Sequence, residues 1–206
     1  MCKTCRVTGM GCNMINAERA LAQLKNREKD IAIYNEIIST FQQTNVKENE
    51  KFRKTYTYFY KLRRKQEWRD FYFAYFEQHK NEKDITFEQI IRAIYEQCGW
   101  VEASFASKML ATINSNQPIL DSVVLGKLGM KITGNTSDKK MESALECYRK
   151  LEYWYKGFIV TAESKKYIEL FDKQFPQYKR ISQIKKLDFI LWADGSAMLK
   201  CMEIKK

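Results

Sequence analysis

Hydrophobic side chains recur along this chain at steps of three, four or seven residues, the spacing of an amphipathic α-helix. The first stripe predicts a long helix, either continuous or interrupted near Asn26. It consists of Ala17, Leu21, Leu24, Ile31, Tyr34, Ile38 and Phe41. A second helical region, unusually rich in aromatic residues, extends from about Lys51 to Lys80. Since the same period persists to the last third of the chain, the sequence predicts an all-α protein of about eight or nine helices.

Capping residues predict where the central helices begin and end. Thr86 followed by Gln89 is typical of a capping box, and Gly99 is placed to end the helix that this box opens. Asp121 is placed to cap a short helix, whose end is marked by Gly129. The sequence therefore predicts helix starts after Thr86 and at Asp121.

Three later helices are predicted in the same way. Ser137, Thr161 and Ser182 are each placed to cap a helix, and Gly195 is placed to close the last of them. Residues 197–204 fit either a lone strand or further helix, and the pattern does not choose between the two.

The composition agrees with a helical protein. Eight Gly and two Pro among 206 residues supply too little turn chemistry for a β-sandwich or barrel. No apolar run approaches the ~20 residues of a membrane span, and the first residues do not resemble a signal peptide. The six Cys are unevenly spaced, which favours a reducing compartment over a disulfide framework. We therefore expect a cytoplasmic protein with no membrane partner, folded as a single compact helical unit over residues 1–206. The sequence leaves the oligomeric state open, and we favour a monomer.

The N-terminal segment, residues 1–14, contains Cys2, Cys5 and Cys12. Three thiolates at this spacing can bind zinc or an iron–sulfur cluster, but a closed zinc site needs four ligands. Because no fourth ligand lies nearby, we expect no cofactor and free thiols in this segment. His79, the only histidine, lies in a polar run and is expected to face solvent, so no histidine-based catalytic pair is predicted.

The positive net charge of the chain indicates the kind of partner that it binds. The chain has 36 Lys and Arg against 25 Asp and Glu, a net charge of +11. Residues 51–69 concentrate eight cations against one acid, Glu67, and interleave them with six aromatic residues. Cations neutralise phosphates and aromatic rings can stack on unpaired bases, although these rings are more typical of a helical core. We therefore expect an anionic polymer, such as a nucleic acid, as the large partner. The predicted contacts in this region are Arg63, Arg64, Lys65 and Arg69.

The most informative stretch is a helix of small residues, Ala103 to Ile113, followed by a short turn and the sequence Pro118-Ile119-Leu120-Asp121. This arrangement resembles the helix–hairpin–helix DNA glycosylase superfamily, most closely its adenine-specific mismatch branch, in which a small-residue helix leads to a Pro-Ile-Leu-Asp element. The close similarity extends over Gly99 to Leu128. The later stretch from Leu187 to Gly195 is similar to a late helix of the same superfamily.

The resemblance implies a two-lobed, all-α multi-helix bundle, with residues 1–50 and 130–206 in one lobe and 51–129 in the other. It implies Asp121 as the catalytic carboxylate, which stabilises an oxocarbenium-like sugar or activates water while an N-glycosidic bond is cleaved. No lysine stands where the family's Schiff-base lysine would lie, so the implied enzyme is a monofunctional DNA glycosylase of base-excision repair. The further DNA contacts are Gly99, Trp100 and Lys108.

Other interpretations stay open at this point. Asp121 is equally placed to be an ordinary N-cap, and the basic region also fits a non-catalytic nucleic-acid-binding helical protein. A weaker alternative is an interaction protein with an acidic protein partner. Trp100, Trp154 and Trp192 favour core positions, although Trp100 lies beside the expected hairpin. Lys108 fits either a buried amine or a side chain whose ammonium reaches the surface.

Overall fold

The computed structural model describes residues 15–203, with side chains as far as residue 196. Over these residues the chain forms ten α-helices and one 3-10 helix, and no strand. This confirms the prediction of an all-α protein. The α-helices are α1 Ala17–Lys25, α2 Glu28–Phe41, α3 Glu50–Tyr60, α4 Gln66–His79, α5 Phe87–Cys98, α6 Ala103–Ile113, α7 Ser122–Lys127, α8 Ser137–Phe158, α9 Ala162–Gln174 and α10 Gln183–Glu203, and the 3-10 helix is Pro176–Tyr178.

Two of the predicted helical regions are each divided into two helices. The first is interrupted after Lys25, where Asn26 caps α1. The second is interrupted at residues 61–65, because Lys61 adopts the left-handed conformation, with φ 54°, and turns the chain. Leu62, only 1% exposed, fixes this loop to the protein. No described helix is both long and apolar enough to cross a membrane.

The predicted caps of the central helices are confirmed. The Thr86 hydroxyl accepts from the Gln89 N–H at 3.2 Å, and the Gln89 side chain accepts from the Thr86 N–H at 2.8 Å, which completes a capping box at α5. Gly99 ends α5 with φ 72°. Asp121 caps α7, and Thr161 caps α9 through the Ser164 N–H at 3.1 Å.

Two predictions for the later helices are wrong. The N-cap of α8 is Thr136 rather than Ser137, with the Thr136 hydroxyl accepting from the Lys139 N–H at 3.3 Å. Gly195 does not close α10, which continues to Glu203, so residues 197–203 are helical. Gly195 instead lies where a Cβ would come within 2.7 Å of Val123 Cγ1, so the glycine serves a close approach of two helices.

The chain divides into two compact units, one within residues 1–28 and 116–206 and the other within 29–115. In the second unit the core is largely aromatic: Tyr56 is fully buried, and its ring lies 4.6 Å from that of Tyr60 and 5.7 Å from that of Phe73. The Tyr56 and Tyr72 hydroxyls are 3.0 Å apart, and Tyr72 donates to the Phe105 carbonyl at 3.0 Å. Burial raises the pKa of both hydroxyls far above the usual range.

In the first unit, α1 and the residue Ile15 before it pack on α9. The Tyr167 hydroxyl donates to the Ile15 carbonyl at 3.0 Å, and the Gln174 amide donates to the Leu21 carbonyl at 2.8 Å. Trp154 is 2% exposed, which confirms its predicted core position. These contacts, between residues 152 and 153 positions apart in sequence, explain why α1 belongs with residues 116–206.

The boundaries of the two units differ from those of the predicted lobes, which were drawn at residues 50 and 129. Helix α2 belongs with the second unit because the Tyr34 ring packs 6.0 Å from Phe59 and the Phe41 ring 5.0 Å from Phe76. Residues 116–129 belong with the first unit because Val123 on α7 packs against Gly195 on α10.

Candidate nucleic-acid interface and carboxylate site

Residues 61–65, here named the basic loop, join α3 to α4 and present cations to solvent. Its backbone is tied down by a hydrogen bond from the Leu62 N–H to the Thr57 carbonyl at 3.0 Å and by the burial of the Leu62 side chain. Lys61, Arg63 and Lys65 are exposed, and none of them forms an ion pair with any residue that the structure describes. The basic loop therefore offers three positive charges on an ordered backbone.

Arg64, the fourth cation of the basic loop, is engaged by the protein itself. Its Nε and Nη2 donate to one carboxylate oxygen of Glu102 at 2.7 and 2.6 Å, and its guanidinium lies 5.3 Å from the centre of the Phe105 ring. Because Glu102 is only 12% exposed, this pair holds the basic loop against the start of α6. Arg64 thus joins two predicted DNA-contact segments, and its own charge is largely balanced.

The turn between α5 and α6 is the segment to which Arg64 holds the loop. Gly99 takes φ 72° there, and its N–H donates to the Tyr95 carbonyl at 2.7 Å. Val101 is 7% exposed and fixes the far side of the turn, whereas Trp100 is 72% exposed. The prediction that Trp100 is a core residue is therefore wrong. Its indole is exposed to solvent, two positions before Glu102, the residue that pairs with Arg64 of the basic loop.

The other two predicted DNA contacts of this unit are less available. Lys108 is half-buried, with its Nζ donating to the Tyr60 carbonyl at 3.2 Å and lying 5.2 Å from the centre of the Phe105 ring. Arg69, also half-buried, donates to the Gln66 side chain at 2.6 Å within its own helix. The Arg69 contact lies within α4, and Lys108 caps the carbonyl end of α3.

The cation count of residues 51–69 overstates the free charge, because acids elsewhere in the unit neutralise half of it. Asp70 is an example: a hydrogen bond from Arg53 and the charge of that guanidinium lower the pKa of its carboxyl. The four ion pairs are Lys51–Glu36, Arg53–Asp70, Lys54–Glu50 and Arg64–Glu102. The surplus that remains is concentrated in the basic loop.

In the other unit, Asp121 is the residue predicted to be catalytic. Its Oδ1 accepts from the Val123 N–H at 2.9 Å, which confirms the predicted N-cap, and the residue is half-buried rather than enclosed. The dihedral angles are extended, at φ −101° and ψ 135°, as expected of an N-cap. One carboxylate oxygen is committed to the cap by this bond.

A buried polar cluster, which sequence reasoning missed, lies near Asp121. Tyr155 of α8 is fully buried, and burial together with the nearby charges of Asp188 and Asp121 raises the pKa of its hydroxyl. Lys185 Nζ lies 2.6 Å from Asp188 Oδ2, with both side chains less than a tenth exposed. The only sequence signal was a Lys and an Asp three positions apart on the apolar face of a helix.

A second buried cluster fixes the position of α7 and therefore of Asp121. Lys127, at the end of α7, pairs with Asp194 of α10 at 2.7 Å, with side-chain exposures of 2% and 0%. Arg19 also pairs with Asp194, and the Asn16 N–H donates to it at 3.3 Å. Burial alone would raise the pKa of Asp194, but the hydrogen bonds from Lys127 and Arg19 outweigh it and lower the pKa.

No group of three or more His, Cys, Asp or Glu side chains within the described residues is placed to hold a metal ion. The candidate ligands Cys2, Cys5 and Cys12 lie outside those residues. His79 is 17% exposed, and its Nδ1 lies 2.8 Å from Glu82, so the prediction that it faces solvent is wrong. Its ring also lies 4.2 Å from that of Tyr75.

Comparison of the chain with protein-family models, with curated proteins and with solved structures finds no match.

Proposed function

We propose that the protein binds DNA through the basic loop and the adjoining turn between α5 and α6. The observation that carries the proposal is the arrangement of Lys61, Arg63 and Lys65: three exposed cations without ion-pair partners among the described residues, on a backbone held by Leu62. Closely spaced cations of this kind neutralise consecutive phosphates and release their counterions. An ordered loop loses little conformational freedom when it binds, which favours affinity.

Charge reversal in the basic loop tests this binding. Arg63→Glu with Lys65→Glu is expected to weaken binding of a fluorescently labelled duplex, with little dependence on its sequence, because phosphate contacts position a protein without reading bases. The matched control is Lys165→Glu with Lys166→Glu, an equal charge change at two exposed positions of α9. Equal losses in the two double variants, or no loss in either, would contradict the proposal.

We further propose that Asp121 makes the protein a monofunctional DNA glycosylase. The supporting observation is a carboxylate that caps α7 while staying half-exposed, next to a buried cluster formed by Tyr155, Asp188 and Lys185. The chain order also agrees with the helix–hairpin–helix resemblance: helix α5, the turn at Gly99, helix α6, and then the Pro-Ile-Leu-Asp element.

In this reaction the bond between the sugar C1′ and the base nitrogen breaks, and the base leaves with a proton. A water oxygen then bonds to C1′, and positive charge develops on the sugar in between. The Asp121 carboxylate lies at the start of a helix, where it can stabilise that charge or accept the proton of the attacking water. The base must first leave the stack, so a base-excising site requires DNA held in a distorted form.

Asp121→Asn separates this function from a purely capping role. Asn is as good an N-cap as Asp, so the variant should fold and bind DNA like the original chain. If the carboxylate is catalytic, excision from a panel of damaged, mismatched and modified duplexes should fall by orders of magnitude. An Asn variant that retains full excision of a base that the original chain removes would falsify the catalytic assignment. The absence of excision in both proteins, with DNA binding intact, would favour the non-catalytic alternative.

A further inference from the structure

The Trp100 side chain is largely exposed, so it contributes little to the packing that stabilises the fold. Its exposed fraction is 72%, the highest among the large hydrophobic residues of the described side chains. The preceding Gly99 is also exposed, and a Cβ added there would meet nothing within 4 Å. The indole is therefore largely open to solvent, beside a glycine whose Cβ position is also open.

The backbone that carries Trp100 is nevertheless held on both sides. On one side, the Gly99 N–H closes α5 on the Tyr95 carbonyl at 2.7 Å. On the other, Val101 is buried, and Glu102 is clamped by Arg64 at 2.6 to 2.7 Å. A flat aromatic ring with only two rotatable side-chain bonds, on a fixed turn, is preorganised to receive a planar partner.

Charge identifies the class of that partner. The clamp from Arg64 to Glu102 brings the basic loop, with its exposed cations Arg63 and Lys65, to the turn that carries Trp100. Cations beside a lone exposed aromatic ring match a polyanion that also presents planar rings. Nucleic acid with an unpaired base has both features, whereas an intact duplex hides its base faces in the stack.

We infer that Trp100 is a stacking site for an unpaired DNA base, while the basic loop holds the adjacent phosphates. The inference rests on the proposed DNA binding and adds the form of DNA that is preferred: single strands, or duplexes in which a base has lost its partner or its neighbour. The contact is independent of Asp121 and requires no chemistry there.

The test compares Trp100→Ala and Trp100→Phe with the original chain on three labelled DNAs: oligothymidylate, an intact duplex, and the same duplex with a one-nucleotide gap. Trp100→Ala should weaken binding of oligothymidylate and gapped DNA by about 5- to 150-fold, the factor expected for the stacking of one base, and leave intact duplex unaffected. Trp100→Phe should retain most of the affinity. The matched control is Tyr153→Ala, at an aromatic residue of the other unit that is 61% exposed.

Tryptophan emission supplies a second readout, because a stacked base quenches the indole. Oligothymidylate should quench part of the emission of the original chain, and Trp100→Phe should abolish that quenching although Trp68, Trp154 and Trp192 remain. Unchanged binding of gapped DNA by Trp100→Ala, an equal loss on all three DNAs, or undiminished quenching in Trp100→Phe would each overturn the inference. If the basic-loop variants lose affinity while Trp100→Ala does not, the stacking site fails and the proposed DNA binding stands. If the original chain binds none of the three DNAs, both fail.

Discussion

Replacing Asp194 by Asn tests the buried ion pair that fixes α7. The Asp194 side chain is fully buried and that of Lys127 is 2% exposed, so the substitution leaves the Lys127 ammonium in the interior without its counter-charge. Breaking a buried ion pair from one side costs about 3–5 kcal/mol. Arg19 is 41% exposed, so its cation returns to water at little cost. Since the Asn oxygen still accepts a hydrogen bond, we expect a loss of about 3 kcal/mol, which lowers the midpoint of thermal unfolding by about 6–12 °C.

Far-UV circular dichroism during heating and in urea measures this loss. The control is Glu146→Gln on α8, which removes one carboxylate from an exposed pair with Lys150 and should barely move either transition. Adding Lys127→Met to Asp194→Asn should restore part of the stability, because the buried ammonium that has lost the Asp194 carboxylate is then gone. An Asp194→Asn variant as stable as the original chain would refute the reasoning.

The same substitution has a defined pH dependence. The pKa of Asp194 is lower in the folded protein than its ordinary value of 3.8. The ionised carboxylate therefore contributes stability that is fully present above that value and is lost as the pH falls through the folded pKa. The difference in unfolding free energy between the original chain and Asp194→Asn should be constant near neutral pH and shrink in acid. A difference that grows in acid would contradict the lowered pKa.

The remaining predictions concern the backbone, and each is measured as the free energy of unfolding in urea. Gly195→Ala should destabilise the protein by about 1–3 kcal/mol, because the new Cβ would lie 2.7 Å from Val123 Cγ1; Gly157→Ala, a helical position with nothing within 4 Å, should instead stabilise it by about 0.5–1 kcal/mol. Thr86→Ala removes the capping box of α5 and should cost about 1 kcal/mol. Gly99→Ala meets no atom but is held at φ 72°, so a loss of about 1–2 kcal/mol is expected from backbone strain alone. Equal effects of Gly195→Ala and Gly157→Ala would show that contact with Val123 is not the cause.

Much of the fold could be predicted because its signals are local. The Thr86 capping box, the Gly99 helix end and the Asp121 cap depend on residues within three or four positions of each other. The break at residues 61–65 could not be predicted, because Lys61 takes a left-handed conformation that no Gly or Asn announces. The prediction that Gly195 ends a helix was wrong because the sequence does not show its distant neighbour. The glycine is needed for the close contact with Val123.

The candidate site was harder to predict, because its interactions join distant parts of the sequence. Arg64 looked like a free cation, yet its partner Glu102 lies 38 positions away. Tyr155, Asp188 and Asp121 come from different parts of the chain, and only packing brings Tyr155 near both carboxylates. The exposure of Trp100 likewise follows from the turn that carries it, while the hydrophobicity of Trp predicts burial.

The salt dependence of DNA binding tests the central claim most directly. The logarithm of the association constant should fall linearly with the logarithm of salt concentration for the original chain. Arg63→Gln with Lys65→Gln removes the two proposed phosphate contacts and should reduce the steepness of that slope by about 2. Lys165→Gln with Lys166→Gln, which lowers the net charge equally, should leave the slope unchanged. A slope that is the same for the original chain and the Arg63 and Lys65 variant would contradict the assignment of the basic loop as the DNA-binding surface.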